Sequence, residues 1–241
     1  MDQGRIVELL QPFLADSHLP QPAHLSSVQL ESISTYIELL LRWNARVNLT
    51  AVRDPDQIVT RHFGESFFLA AYLFPPGGQV SSPNSPERAL DLGSGAGFPG
   101  LPLKIYVPEL PATLAESNHK KAAFLSEVIR ALRLENISVY SGRIQPSATS
   151  AADWPLGQAP GLVTMRAVEH FPSALATAGA LARAGAKVGG AGKLALLIGE
   201  TQAQGVPGLV PDFGWDAPIP VPHSRERVLL IGKCSSPKVP T

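Results

Sequence analysis

The run Asp91-Leu92-Gly93-Ser94-Gly95-Ala96-Gly97-Phe98-Pro99-Gly100 sets an acid two places ahead of four closely spaced glycines. Glycine lets the backbone turn with positive φ and lets a ligand approach with no Cβ in the way. A plain tight turn uses the same residues, so the flanking pattern decides. Residues 88–92 read as a short strand before the turn and residues 101–107 as a helix after it. Glu116 ends the next strand, 23 residues beyond Gly93. At that place in an α/β unit a carboxylate can accept hydrogen bonds from both hydroxyls of a ribose. The turn, with Gly93 and Gly95 at its centre, is therefore the candidate contact for a nucleoside-bearing cofactor. A nicotinamide dinucleotide asks for G-x-G-x-x-G, which seats its pyrophosphate on a helix N-terminus. This chain has G-x-G-x-G and then Phe98-Pro99. S-adenosylmethionine carries no phosphate and needs backbone proximity more than an anion nest, so the spacing favours it and methyl transfer.

The acceptor chemistry is narrowed by what the chain lacks. Methylation at pyrimidine carbon needs a cysteine nucleophile, and the single cysteine, Cys234, follows the last strand candidate. Enzymes that methylate exocyclic amines usually carry N/D-P-P-Y/F after the fourth strand, where this chain has Met165-Arg166-Ala167-Val168. No acid–base pair is evident. A ring nitrogen such as guanine N7 has a free lone pair and no proton to lose, so it needs only orientation and exclusion of water. Arg166 lies just past a strand end, where ligands bind in open α/β sheets.

The elements that must position these residues follow from periodicity. Residues 4–16 read as a helix, and Ser26 or Ser27 caps a longer one whose apolar positions run from Leu30 to Val47. Residues 54–74 read as one or two more helices. Residues 76–87, rich in Pro, Gly and Ser, read as a linker between a helical extension (1–75) and an α/β core (88–241). Beyond it, strands at 111–115, 137–140, 161–165, 193–198 and 227–231 alternate with helices at 118–132 and 170–184, and residues 141–160 read as loop. Alternation of this kind predicts a mostly parallel sheet covered on both faces.

Formal net charge is zero over 241 residues, so contact with nucleic acid must come from local clusters. Arg42, Arg46, Arg53 and Arg61 are the densest basic group of the helical extension, with His62 beside them. They fit either a solvated face or a grip on phosphates. Lys120 and Lys121 open a helix, where cations oppose the dipole. Trp43 reads as a core anchor, and Asn44 and Asn48 as residues that order the Leu49-Thr50 turn. No histidine pair has metal-ligand spacing, and no metal is expected. No apolar stretch reaches the ~20 residues of a membrane span. The first residues lack the pattern of a signal peptide, and a cytoplasmic location is expected.

Taken together, the motifs resemble the bacterial 16S ribosomal RNA guanine-N7 methyltransferase family, also known as glucose-inhibited division protein B. They are Arg42-Trp43-Asn44, Asn48-Leu49-Thr50-Ala51, Arg61-His62, Glu65-Ser66, the glycine run with Leu101-Pro102-Leu103, Glu116-Ser117, Lys120-Lys121, Phe124-Leu125, Leu134-Glu135-Asn136 and Arg166-Ala167. The resemblance spans residues 30–232. It implies a class I (Rossmann-like) S-adenosylmethionine-dependent methyltransferase sheet with an N-terminal helical extension. It also implies action on N7 of a guanine in the decoding-centre loop of 16S rRNA, as naked RNA or within the small subunit. Carried over, Gly93 and Phe98 line the methionine and adenosine moieties and Glu116 holds the ribose. Ile144 and Gln145 flank the adenine, and Arg166 lies near cofactor and substrate. Ile144-Gln145 stands where the family usually has Ala-Glu, and Ile198-Gly199 where it often has Lys-Gly. The first change removes a carboxylate beside adenine, the second a cation from the RNA side. A non-catalytic RNA-binding protein of this fold and a nicotinamide-dependent oxidoreductase stand as alternatives.

Overall fold

Short apolar runs separated by helical stretches build one eight-stranded sheet in a computed structural model that describes residues 1–77, 88–144, 159–189 and 192–234. The strands are β1 (Ala89–Leu92), β2 (Ala112–Glu116), β3 (Ile137–Ser141), β4 (Leu162–Arg166), β5 (Lys193–Gly199), β6 (Phe213–Trp215), β7 (Ile219–Pro220) and β8 (Arg227–Cys234). Their order is β3-β2-β1-β4-β5-β8-β6, with β7 paired to β8. Strands β1 to β5 are parallel, and β8 runs antiparallel between β5 and β6. Strand β5 buries Leu194 to Ile198 without alternation, as a strand covered on both faces must.

Helices α5 (Gly100–Tyr106) and α6 (His119–Ala131) share one core with the N-terminal helices, while α7 (Phe171–Lys187) and α8 (Glu200–Leu209) pack in a second core on the other face. The N-terminal helices are α1 (Gln3–Leu14), α2 (Ser27–Asn44), α3 (Pro55–Ile58) and α4 (Glu65–Leu73), with a π-helical segment, Val59–Gly64, running directly into α4. A capping box of Ser26 and Gln29 starts α2. Tyr36, Phe63, Phe67 and Phe68 are fully buried and join the extension to the core against α5 and α6. Gly64 lets α1 approach: a Cβ there would stand 2.6 Å from the Phe13 ring.

All six longer strands form where the pattern places them. The structure adds α8, β6 and β7, which periodicity missed. Gly205, Pro207 and Gly208 weaken the helical signal of α8, and strands of three and two residues carry no alternation. The one or two helices expected over 54–74 form as α3, the π segment and α4. Residues 78–87 of the expected linker and 145–158 of the expected loop, Gln145 included, lie outside the described residues.

Strand order reverses between β1 and β4. In open α/β sheets that switch point leaves a crevice beyond the carboxyl ends of the strands, which is where ligands bind. The glycine turn leaves β1 there, and Arg166 ends β4 there.

Candidate functional site

The glycine turn is anchored to β2. The Gly93 and Ser94 amides donate to the Ala115 carbonyl at 2.9 and 3.0 Å. The Glu116 carboxylate accepts from the Gly95 amide at 2.8 Å and from the Asn118 amide at 2.7 Å. Each carboxylate oxygen keeps a second lone pair for a further donor. Gly93 and Gly95 have φ of +73° and +57°, a region that L side chains rarely enter. Nothing but the Gly93 carbonyl, at 3.9 Å, stands near a Cβ built on Gly95, so the turn presents an open face there.

Asp91 holds the turn from beneath. It is 2% exposed and accepts from the Thr164 hydroxyl at 2.8 Å and the Gly100 amide at 3.2 Å. Burial raises its pKa to about 6, with the Thr164 hydrogen bond opposing. From the other side the Tyr36 hydroxyl donates to the Ala96 carbonyl, and its ring stacks on Phe98 at 5.3 Å. Burial pushes the Tyr36 pKa up, so it remains a donor. The Phe98 ring, expected to line the cofactor, is buried against Tyr36, Phe63 and His62. Ile144 is also buried, in the second core.

The end of β4 carries a side-chain knot. Arg166 Nε donates to Glu65 Oε2 at 3.0 Å, and Nη2 donates to the Arg61 carbonyl at 2.7 Å and lies 3.1 Å from His62 Nδ1. Arg227, at the start of β8, approaches the same Glu65 oxygen at 3.6 Å. His62, expected to face RNA, is instead 8% exposed. Burial first, then the Arg166 cation, lowers its pKa to about 3. Its ring is therefore neutral. Arg166 can only donate, so Nδ1 accepts and Nε2–H donates to the Thr50 hydroxyl at 2.8 Å. Asn44 orders the next turn: its side chain donates to the Thr50 carbonyl at 2.8 Å and accepts from the Leu49 and Thr50 amides. Asn48 makes no such contact and is exposed.

The basic candidates divide. Arg42 is spent on Glu127 of α6 at 2.8 Å, and Trp43 Nε1 donates to the same carboxylate at 3.0 Å. Arg46, Arg53 and Arg61 are exposed and make no side-chain hydrogen bond or ion pair among the described residues. Lys120 is exposed and Lys121 half-buried, with their amides capped by Asn118. Tyr36 and Glu65 are positioning residues to which sequence reasoning gave no role, Glu65 standing only within the Glu65-Ser66 motif. The only signal for Tyr36 was its place on the apolar stripe of α2. Among the described residues no cluster of His, Cys, Asp and Glu could hold a metal ion, and no helix is long and apolar enough to cross a membrane.

Residues 29–189 match the family model described as rRNA small subunit methyltransferase G. Ribosomal RNA small subunit methyltransferase G of Roseiflexus castenholzii is 46% identical over 117 residues, 48% of this chain and 46% of the relative. The protein of that name from Nitrosomonas europaea is 44% identical over 110 residues, 46% of each chain. The chain spans about half the length of the curated relatives it matches. A crystal structure of a SAM-dependent methyltransferase from Aquifex aeolicus superposes with a TM-score of 0.53 at 15% identity, covering 76% of this chain and 94% of that one. The fold is that of the S-adenosylmethionine-dependent methyltransferases, with an antiparallel strand β8 inserted beside β5.

Proposed function

This chain belongs to the rRNA small subunit methyltransferase G family, and from that premise we propose that it methylates N7 of a guanine in the decoding-centre loop of 16S rRNA. S-adenosylmethionine, when bound, supplies an electrophilic methyl group on a sulfonium. The observation that carries the reading is the Glu116 carboxylate folded onto the open face of Gly95 at the switch point. Those residues fit a ribose and a closely approaching nucleoside. Gly93, Gly95 and Glu116 hold the cofactor, with Ile144 on the adenine side. Phe98 acts from below by fixing the turn.

Guanine N7 has no proton to lose, so the protein needs no base at that atom. Its task is to orient the base and keep water out. Positive charge moves from sulfonium to the purine, so Arg166 does not stabilise a developing anion. Buried against Glu65, His62 and the Arg61 carbonyl, it positions the extension beside the cofactor turn. Residues 1–75 form that extension and residues 88–241 the catalytic core. Arg46, Arg53, Lys120 and Lys121 are the exposed or half-exposed cations that meet RNA phosphates, as 16S rRNA or in the small subunit. That substrate places the protein in the cytoplasm.

Purified protein mixed with radiolabelled S-adenosylmethionine and small subunits lacking the modification is expected to yield 7-methylguanine, located by chemical cleavage at the lesion. Calorimetry is expected to show binding of S-adenosylhomocysteine and none of NAD. Methylation at carbon or at an exocyclic amine would overturn the ring-nitrogen assignment, and tight NAD binding the cofactor.

A further inference from the structure

Next to the Arg166 knot, Phe13, Thr60, Arg61, Glu65, Pro222 and His223 line a cavity of about 220 Å³. That is below the roughly 300–1,000 Å³ of sites for drug-sized ligands and suits one planar base. The two charged groups of its lining have unspent capacity. Glu65 Oε2 takes Arg166 and Arg227, while Oε1 accepts no hydrogen bond from the described residues. Among the described residues no unpartnered side-chain oxygen is sealed from solvent, so Oε1 opens onto accessible space. The Arg61 guanidinium is also unpartnered there. A phosphate could satisfy Arg61 only by setting its charge against Oε1. A ligand that answers both has neighbouring donors beside an acceptor.

Guanine has that edge: N1–H and the N2 amine are adjacent donors, and O6 is the acceptor beside them. We infer that this cavity holds the acceptor guanine, with Glu65 Oε1 accepting from N1–H and the N2 amine and Arg61 donating to O6. The inference rests on the proposed function and adds the residues that choose the base. The exposed His223 ring, its centroid 5.8 Å from that of buried Phe13, offers aromatic surface to an unstacked base. A base read in this way has left its stack, as enzymes that act on bases require. The N7 lone pair is left free of protein donors, as attack on a methyl group demands.

Small-subunit RNA carrying guanosine, inosine (which lacks the N2 amine) or 2-aminopurine (which lacks O6 and the N1 proton) at the modified position tests this. Wild-type kcat/KM is expected to fall by about tenfold from guanosine to inosine, because the Glu65 carboxylate loses one of its two donors. Glu65→Gln is expected to lower turnover of guanosine RNA and erase the guanosine-to-inosine ratio. A merely structural Glu65 would lower both equally and leave the ratio intact, which overturns the inference. Arg61→Ala, at an exposed position that leaves the fold intact, serves if Glu65→Gln does not fold. It is expected to slow guanosine and inosine RNA alike and leave 2-aminopurine RNA unchanged. Equal wild-type turnover of guanosine and inosine overturns the base reading while the proposed function stands. No transfer to guanosine RNA overturns the function and the site with it.

Discussion

The glycine turn and the Arg166 knot sit at the same edge of the sheet, and each is built on buried carboxylates. They differ in what the carboxylates hold. Asp91 and Glu116 accept largely from backbone amides, within 21 residues in sequence. Glu65 accepts from the side chain of Arg166, 101 residues away, and pairs with the Arg227 cation. Backbone donors survive side-chain substitution, and side-chain donors do not. The turn is therefore vulnerable to atoms that are added, and the knot to atoms that are taken away.

The largest expected effect is a removal. Arg166→Ala leaves Glu65 short of its main cation and is expected to cost about 3–5 kcal/mol, the usual penalty for breaking a buried pair from one side. Urea unfolding measures it. Methyl transfer is expected to fall at least about tenfold, and Arg166→Lys to recover only part, since the planar fork is lost. A variant as stable as the parent would show that the knot holds nothing.

The second prediction sets the two regions against each other through pH. His62, lowered from 6.5 to about 3, stays neutral in the fold while the unfolded chain takes a proton. Its contribution is present above pH 6.5 and is lost as pH falls toward 3. Asp91, raised from 3.8 to about 6, is the reverse: the fold takes the proton first, so stability is gained as pH falls from 6 toward 4. At ~1.4 kcal/mol per pH step, each is worth on the order of 3 kcal/mol between pH 6.5 and 4, and in the parent they nearly cancel. His62→Gln is expected to be stabilised by acid over this window and Asp91→Asn to be destabilised by it. Slopes of the same sign in urea midpoints would sink the comparison.

Additions to the turn come next. Gly97 has φ +93°, and a Cβ there would run into the Tyr36 hydroxyl and Leu101. Gly97→Ala is expected to cost about 2–4 kcal/mol, from left-handed strain and overpacking together. Gly95→Ala meets open space and is expected to cost only the ~1–2 kcal/mol of strain, yet to lose most affinity for S-adenosylhomocysteine. Calorimetry and denaturation on the same samples separate the two positions. The smallest effects lie outside both regions. Arg46→Ala and Arg53→Ala are each expected to lower the slope of log K for RNA against log salt by about one. Arg42→Ala is expected to leave the slope unchanged and cost about 0.2–1 kcal/mol of stability through its exposed pair with Glu127.

The same division governs how much could be read from the sequence. The turn and Glu116 are separated by one strand and one helix, and local spacing sufficed to pair them. The six longer strands were legible because buried parallel strands are short apolar runs between glycines and prolines. Asn44 was legible as an organiser of the Leu49-Thr50 turn because its partners lie within six residues. Arg166 was placed at the correct strand end, but its partnership with Glu65 and His62 depends on how the extension docks, which no local pattern encodes. His62 looked like a surface residue because Arg61 beside it is one. Successive residues of a helix point to different sides, which sends Arg61 to solvent and His62 to the interior.

Strand β8 lies between β5 and β6, so the sheet cannot close until residue 234 has left the ribosome. Strand β5 ends 28 residues before β8 begins, and at roughly 5–20 residues per second that interval lasts on the order of seconds. During it a nascent chain presents an unpaired apolar strand, Leu194 to Ile198, of the kind that pairs with other chains. The helix α8 emerges in this interval and can shield one face of β5, but not its open hydrogen-bonding edge. Arg227 arrives on the strand that seals that edge, so the second cation of the Glu65 knot is delivered by the last act of synthesis needed to finish the sheet.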